Sequence, residues 1–276
     1  MGRKQPEAAR RDWRTLARYT FYSAAVLTLL VAVLFVYSRV DGFLAEDSRF
    51  RLAAPSAESG ESRALRIEGA VHTSRAKIID ASAADFGRSV YLLPLAERRR
   101  SLLAIDWVRD AAVSRLWPDR LFVTIVERKP VAFVQLPAES GEPSTETALI
   151  DDQGVILEQP ARAQFRLPVL TGIRRTDSQD MRRQRVRTAM RLGEELGDQA
   201  AQLSEIDVSD PASVRVVMPA EGQAVLLMLG NRNFRSRVRN FLNHYPEIHR
   251  RLPNASSFDL RLDDRITALG EGRRSA

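Results

Sequence analysis

The chain contains no cysteine, which removes disulfide frameworks and thiolate chemistry from consideration. Histidine is nearly as scarce, with three in 276 residues: His72, His244 and His249. The last two stand five apart, off the i, i+4 spacing that puts two ligands on one helical face. With no cysteine to complete a set, no metal site is expected. A G-x-x-x-x-G-K-[ST] phosphate loop is also missing. Ser74-Arg75-Ala76-Lys77 fits the S-x-x-K pattern of penicillin-binding enzymes, yet no S-D-N or K-T-G element accompanies it. Ser74 stands where it can cap a helix. Asp151-Asp152 and Asp263-Asp264 fall in expected turns, where aspartate bonds nearby backbone N–H groups, and do not argue for a paired-carboxylate hydrolase. No catalytic, cofactor-binding or metal-binding residue is assigned.

What the chain does have is one long apolar run. Residues 19–37, YTFYSAAVLTLLVAVLFVY, carry no charge and no proline. About 19 such residues at ~1.5 Å each cover the ~30 Å hydrocarbon core of a bilayer. Tyr19, Phe21 and Tyr22 at one end and Phe35 and Tyr37 at the other suit the headgroup level. A signal peptide has a shorter apolar core and a small-residue cleavage site, which Tyr37-Ser38-Arg39-Val40 does not offer. A retained transmembrane helix over 19–38 is expected. The preceding segment, 1–18, carries Arg3, Lys4, Arg10, Arg11, Arg14 and Arg18 against Glu7 and Asp12. Beyond the helix, Arg39, Arg49 and Arg51 are mixed with Asp41, Glu46 and Asp47. That asymmetry predicts a cytoplasmic N-terminus and a single pass.

The formal net charge of +7 would invite a nucleic-acid reading in a soluble chain. Here the expected topology carries most of the chain across the membrane from nucleic acid. The arginines also lie scattered between apolar positions, as on solvated faces.

Residues 39–63, with Gly42, Pro55 and Gly60 and no sustained period, read as a linker. Leu65 and Ile67 alternate with Arg66 and Glu68 in a short strand closed by Gly69. Thr73 or Ser74 can cap a helix carrying Ile78, Ile79, Ser82 and Phe86, which Gly87 ends. Pro94 opens a second helix with Leu95, Leu102 and Leu103 inward. Strands over 111–117 and 121–135 flank the turn Trp117-Pro118-Asp119-Arg120. The order β-α-α-β-β predicts a three-stranded sheet with two helices on one face, over 64–136.

The loop-like stretch PAESGEPSTET at 137–147 sets the next boundary. The second unit, 147–269, is mostly strands, beginning with a hairpin at 149–157 and an extended piece at 167–172. A helix at 178–196 carries Val186, Ala189, Met190 and Leu196 on one stripe. Strands at 206–208, 214–218 and 224–229 follow. Asn233 can cap a helix with apolar positions Phe234, Val238, Phe241, Leu242, Tyr245 and Ile248, and with Arg232, Arg235, Arg237 and Arg239 on the other face. Residues 258–262 alternate, 266–269 form a last short strand, and 270–276 are an expected disordered tail. The fold class is α+β: a transmembrane helix, the β-α-α-β-β unit, then a mostly antiparallel β domain with flanking helices.

In this order the pieces resemble the FtsQ/DivIB family of bacterial cell-division proteins, from the membrane helix to Leu269. The resemblance rests on Leu65-Arg66-Ile67-Glu68-Gly69, on WVRDAAVSRLWPDRL at 107–121 and ERKPVA at 127–132. It continues in IDDQGV at 150–155, LPVLTG at 167–172 and FDLR at 258–261. It implies a POTRA domain at 64–136 and an FtsQ-type β domain at 147–269. It further implies a non-catalytic inner-membrane scaffold at the division septum, without a cofactor. Such a scaffold links early to late division proteins across the membrane, chiefly through FtsB and FtsL, with the POTRA part tied to recruitment. From the residues alone, a membrane-anchored wall enzyme or wall-polymer-binding protein stays open, as does, more weakly, a chaperone-like POTRA protein.

The expected partner surface lies at the end of the chain. Phe258, Leu260 and Leu262 should share one face of a strand, with Asp259 and Arg261 opposite. After the turn Asp263-Asp264-Arg265, the last strand Ile266-Thr267-Ala268-Leu269 carries neither charge nor proline to guard a sheet edge. A partner strand of the FtsB type is expected to add there, aided by Arg235 and Arg239 of the neighbouring helix.

Overall fold

The computed structural model describes residues 13–55, 63–137, 145–161 and 163–269. Most of the basic N-terminal segment, the middle of the 137–147 loop and the tail 270–276 lie outside the described residues. Two compact units are present: Met1–Glu68 with Ile79–Arg99 and Ala112–Val123, and Gly69–Ile78 with Arg100–Ala111 and Thr124–Ala276.

In the first unit, α1 (Trp13–Glu46) runs for 34 residues. Its stretch Ala17–Glu46 is long and apolar enough to cross a membrane, with a mean hydropathy of 2.1 over an 18-residue window. The helix continues eight residues past the expected end at 38, over the first part of the expected linker, because its last turns have partners. Ser89 donates its hydroxyl to the Leu44 carbonyl at 2.6 Å, and Tyr91 hydrogen-bonds Asp41, which holds its phenol pKa above the usual value. A 3-10 turn (Ser48–Phe50) follows, capped by Asp47, whose carboxylate accepts from Arg49 N at 2.8 Å. Leu52 is then buried among Ala64, Leu65, Val90, Leu93 and Leu121.

Strands β1 (Leu65–Glu68), β2 (Val108–Leu116) and β3 (Arg120–Glu127) form a three-stranded sheet in the order β1-β3-β2. Helices α2 (Arg75–Ala81) and α3 (Leu95–Leu103) complete the expected β-α-α-β-β order. Helix α2 is shorter than expected, and Ser82 begins a separate 3-10 turn, Ala83–Asp85. There the fully buried Asp85 pairs with Arg98 at 2.9 Å. Gly69 adopts φ +82°, and a Cβ there would stand 2.0 Å from the Ile125 carbonyl, so only glycine fits.

The single strand expected over 121–135 is two strands in two sheets. β3 stops at Glu127 and β4 (Pro130–Pro137) belongs to a nine-stranded sheet. The break falls at Arg128-Lys129-Pro130, where proline has no N–H for a ladder. The stretch 137–147 leads from β4 into β5 (Thr145–Asp151), its antiparallel neighbour, with Pro137 opposite Thr145.

The remaining strands are β6 (Ile156–Leu157), β7 (Val169–Thr171), β8 (Glu205–Asp207), β9 (Val214–Ala220), β10 (Gln223–Gly230), β11 (Ser257–Asp259) and β12 (Thr267–Ala268). The sheet order is β12-β11-β10-β9-β8-β7-β4-β5-β6. Pairing is mostly antiparallel, with parallel exceptions at β4–β7, β7–β8 and β10–β11.

Helices α4 (Gln179–Leu196) and α5 (Phe234–Arg251) join this sheet in one hydrophobic core. On α4 the buried stripe is Val186, Ala189, Leu192 and Leu196; Met190, expected inward, is 38% exposed. The three- and four-residue steps from 186 to 196 leave position 190 beside the stripe. Asn233 does not cap α5 with its side chain, because it takes the left-handed conformation. The Glu195 carboxylate supplies the cap instead, accepting from Phe234 N at 3.0 Å.

Candidate partner interface at the end of the sheet

β12 is the outermost strand of the nine, paired antiparallel to β11 through Phe258 opposite Ala268 and Asp259 opposite Thr267. The next inward bond is Leu269 N–H to the Ser257 carbonyl, 2.9 Å. Antiparallel strands direct alternate residues' backbone groups toward the partner. With Thr267 and Leu269 turned toward β11, the N–H and C=O of Ala268 face away from it. This is the geometry a further strand needs.

The sequence-derived surface residues divide into internal and external groups. Phe258 is fully buried, its ring centroid 5.0 Å from that of Phe241 and 6.0 Å from that of Tyr245. Leu260 is also buried, and its N–H donates to the Met228 carbonyl at 2.9 Å. Leu262, expected on the same face, is instead 56% exposed. The regular strand ends at Asp259, so the alternation fails at the third position. Asp264 and Arg265 are exposed and paired at 3.1 Å; the Arg265 guanidinium holds the Asp264 carboxyl below its ordinary range. Ile266 packs half-buried against the core. Arg235 donates to the Glu195 carbonyl, and Arg239 is exposed.

Arg237 carries a role the sequence reading missed. Expected on the solvated face of α5, it is buried, with its side chain 6% exposed. Its guanidinium donates to Asp263 Oδ1 at 2.8 Å, to the Leu229 carbonyl at 2.6 Å and to the Arg261 carbonyl at 2.8 Å. One side chain thereby ties α5 and the end of β10 to the turn before β12. Its spacing was the available signal: Phe234, Arg237, Val238 and Phe241 fall at i, i+3, i+4 and i+7, so position 237 lies on the apolar stripe.

Beside this latch runs a polar groove of about 490 Å³ between α5 and the turn, lined by Asn240, His244, Glu247, Arg251, Asp264 and Ile266 among others. A smaller recess of about 230 Å³ adjoins it at Leu262 and Arg265. The arrangement can present main-chain donors and acceptors next to charged side chains of both signs, which suits a peptide.

The residues weighed for chemistry are occupied structurally. Lys77 Nζ pairs with Glu158 at 2.8 Å, which raises the lysine's pKa and works against a role as base. His72 packs against Trp107 and Phe165 at 5.1 and 5.6 Å, His244 Nδ1 lies 2.8 Å from the Asn240 carbonyl, and His249 stacks on Tyr245. Among the described residues no group of three His, Cys, Asp or Glu side chains could hold a metal ion.

Comparison with known proteins gives concordant matches. Residues 61–128 match the family described as POTRA domain, FtsQ-type, and residues 142–261 match Cell division protein FtsQ/DivIB, C-terminal. The chain is 32% identical over 257 residues to a Cell division protein FtsQ of Koribacter versatilis, covering 91% of this chain and 70% of that protein. It is 34% identical over 111 residues to one of Zymomonas mobilis, 40% of this chain and 33% of that protein. It is 32% identical over 149 residues to one of Novosphingobium aromaticivorans, 52% and 41% of the two lengths. The match to the C-terminal family ends at residue 261, so β12 lies beyond it.

Proposed function

The chain belongs to the FtsQ/DivIB family of cell division proteins, and from that premise we propose that it is a non-catalytic scaffold of the division machinery. Helix α1 anchors it by a single pass in the inner membrane at the septum, N-terminus inside, as the arginines and Lys4 before residue 19 favour. Its folded parts, a POTRA domain over 64–136 and a β domain over 147–269, link early to late division proteins by contacts outside the cytoplasm. FtsB and FtsL are the partners of the β domain, and the POTRA part serves recruitment.

The observation that carries this reading is the open edge at β12, where Ala268 turns its backbone groups away from β11. A partner segment adds there as a tenth strand. Leu262, Asp263, Asp264, Arg265 and the half-buried Ile266 flank it on one side, and Arg239 and Arg251 supply positive charge from α5. Phe258 and Leu260 support that surface from within rather than touch the partner, while the exposed Arg235 is engaged by the Glu195 carbonyl.

The test is Ala268→Pro in the full chain. Proline removes the outward N–H of residue 268 and leaves the inward bond of Leu269 intact. Binding of an FtsB–FtsL complex should fall at least about tenfold, the equivalent of ~1.4 kcal/mol, while the melting transition stays put. Unchanged affinity in a normally folded variant places the partner elsewhere. Orientation has its own check: alkaline phosphatase fused after Leu269 should be active, and fused before Arg18 inactive.

A further inference from the structure

We propose that the membrane-proximal face of the first unit is itself a bilayer-contacting surface, seated in the lipid headgroup layer by Phe43, Phe50 and Trp117. This rests on the reading of α1 as a membrane span. The three rings form a continuous edge-to-face chain: Phe43 to Phe50 at 5.6 Å and 77°, Phe50 to Trp117 at 5.8 Å and 82°. Phe43 and Trp117 are each 48% exposed. Single exposed aromatics are ordinary on soluble surfaces. These rings are different because they join the end of α1, the following 3-10 turn and the tip between β2 and β3 in one patch.

The patch cannot drift away from the helix on a tether. Ser89 holds the Leu44 carbonyl at 2.6 Å, Arg51 bridges Ser89, and Leu52 is buried in the unit's core. Length sets its height. From Tyr19 to Phe43 the helix rises about 36 Å, between the ~30 Å of hydrocarbon and the ~40–45 Å that includes both headgroup layers. With Tyr19 at one interface, Phe43 falls within the other. The indole of Trp117, apolar with one N–H, is matched to that depth.

Charge decides what kind of lipid surface fits. Arg39, Arg49, Arg51 and Arg120 around the patch are matched one for one by Asp41, Glu46, Asp47 and Asp119. Arg49 pairs with Asp47 at 2.9 Å and Arg120 with Asp119 at 3.8 Å. The local balance is neutral, so the occupant is the headgroup–acyl boundary of any bilayer rather than an anionic headgroup. The consequence is a fixed height and tilt for the unit above the membrane.

Because the chain has no cysteine, single-cysteine variants can report depth in the full-length protein held in phosphatidylcholine nanodiscs. An environment-sensitive fluorophore at Ser48→Cys and at Asp119→Cys should show blue-shifted emission, quenched by lipids spin-labelled near the headgroup. A probe at Leu30→Cys, mid-helix, should be quenched by lipids labelled deep in the chain. In the Ser48→Cys variant, which keeps all of these charges, replacing part of the lipid by phosphatidylglycerol should not change the pattern, and dependence on it would overturn the neutral-surface assignment. Adding Phe43→Ser and Trp117→Ser should abolish shallow quenching at residue 119 and leave residue 30 unaffected; its persistence would sink the proposal. Water-like, unquenched emission at 48 and 119 with normal quenching at 30 refutes this inference alone. Loss of quenching at 30 refutes the membrane span and this inference together.

Discussion

At one end of the nine-stranded sheet, β6 sets Leu157 into a cluster with Trp107 and Leu149, and the next residue is held twice. Trp107 Nε1 donates to the Glu158 carbonyl at 2.8 Å, and Lys77 pairs with its carboxylate. At the other end, β12 leaves Thr267 exposed and the backbone of Ala268 facing outward. Each end has an arginine–aspartate pair, and the two pairs are built in opposite senses. Beside β6, Asp151 is fully buried and is fed by Arg128 at 2.8 Å and by the N–H groups of Gln153 and Val155 at 2.9 and 2.8 Å. Beside β12 it is Arg237 that is buried, while its partner Asp263 is 59% exposed on the side chain. A withdrawn carboxylate ringed by donors seals its end. A buried arginine gripping an exposed acid is a latch whose outer half a partner can reach.

The largest expected effect comes from breaking the sealed end. Asp151→Ala leaves Arg128 without its acid and two backbone N–H groups without an acceptor, an uncompensated buried charge that costs about 3–5 kcal/mol. Urea unfolding of the part outside the membrane should show that loss. A change below ~1 kcal/mol, the range of a surface pair, would mean that the seal lies in the Trp107 cluster instead.

A smaller effect is expected from Arg237→Met, which keeps much of the apolar stem but orphans the Leu229 and Arg261 carbonyls. Unsatisfied buried groups of this kind cost about 1–3 kcal/mol. Hydrogen exchange should quicken at the amides of Leu260 and Leu269, with the amides of β5 and β6 unchanged. Equal loosening at both sheet ends would remove the distinction between seal and latch.

The two ends were unequally legible in the sequence. Position 151 was visible only as the first aspartate of an expected turn, and turn it does, through Gln153 and Val155. Its burial came from Arg128, far off in sequence and across the break that splits β3 from β4, which propensity does not reveal. The elements themselves, from α1 through the β-α-α-β-β order to a last strand at 266–269, were readable because periodicity and proline positions are local signals. The sheet order was not, because β4–β7 and β10–β11 pair in parallel across helices and long connections. The site was half legible. Alternation placed Phe258 and Leu260 inside but carried Leu262 too far, and a run of arginines hid that position 237 belongs to the apolar stripe.

The smallest effect is expected on acidification, and it sharpens the comparison by setting the carboxylate at the open end against Glu127, the donor-ringed last residue of β3. Next to Arg128, burial alone would raise the pKa of Glu127. The Thr73 hydroxyl beside it and hydrogen bonds from the N–H groups of Thr73, His72 and Val71 bring it below its ordinary 4.5. At the open end, the Arg261 guanidinium does most to lower Asp259 below its ordinary 3.8, against the opposing effect of burial. A carboxylate whose folded pKa is depressed contributes its stability in full above the unfolded value and loses it as pH falls through the folded one. The contribution of Glu127 should therefore begin to fade below about pH 4.5 and that of Asp259 only below about pH 3.8. Glu127→Gln should flatten the acid limb of the stability curve, because glutamine has no charge to lose. Asp259→Asn should flatten it much less. Its partner Arg261 is 49% exposed on the side chain, and such pairs contribute about 0–1 kcal/mol and weaken in ~1 M salt, where screening acts over ~3 Å. Urea unfolding of each variant at pH 7, 4 and 3, in low and high salt, makes the comparison. If Asp259→Asn flattens the limb as much as Glu127→Gln does, the open end holds its charge as firmly as a carboxylate ringed by backbone donors. The strand beside it would then have no looser hold from which to receive a partner.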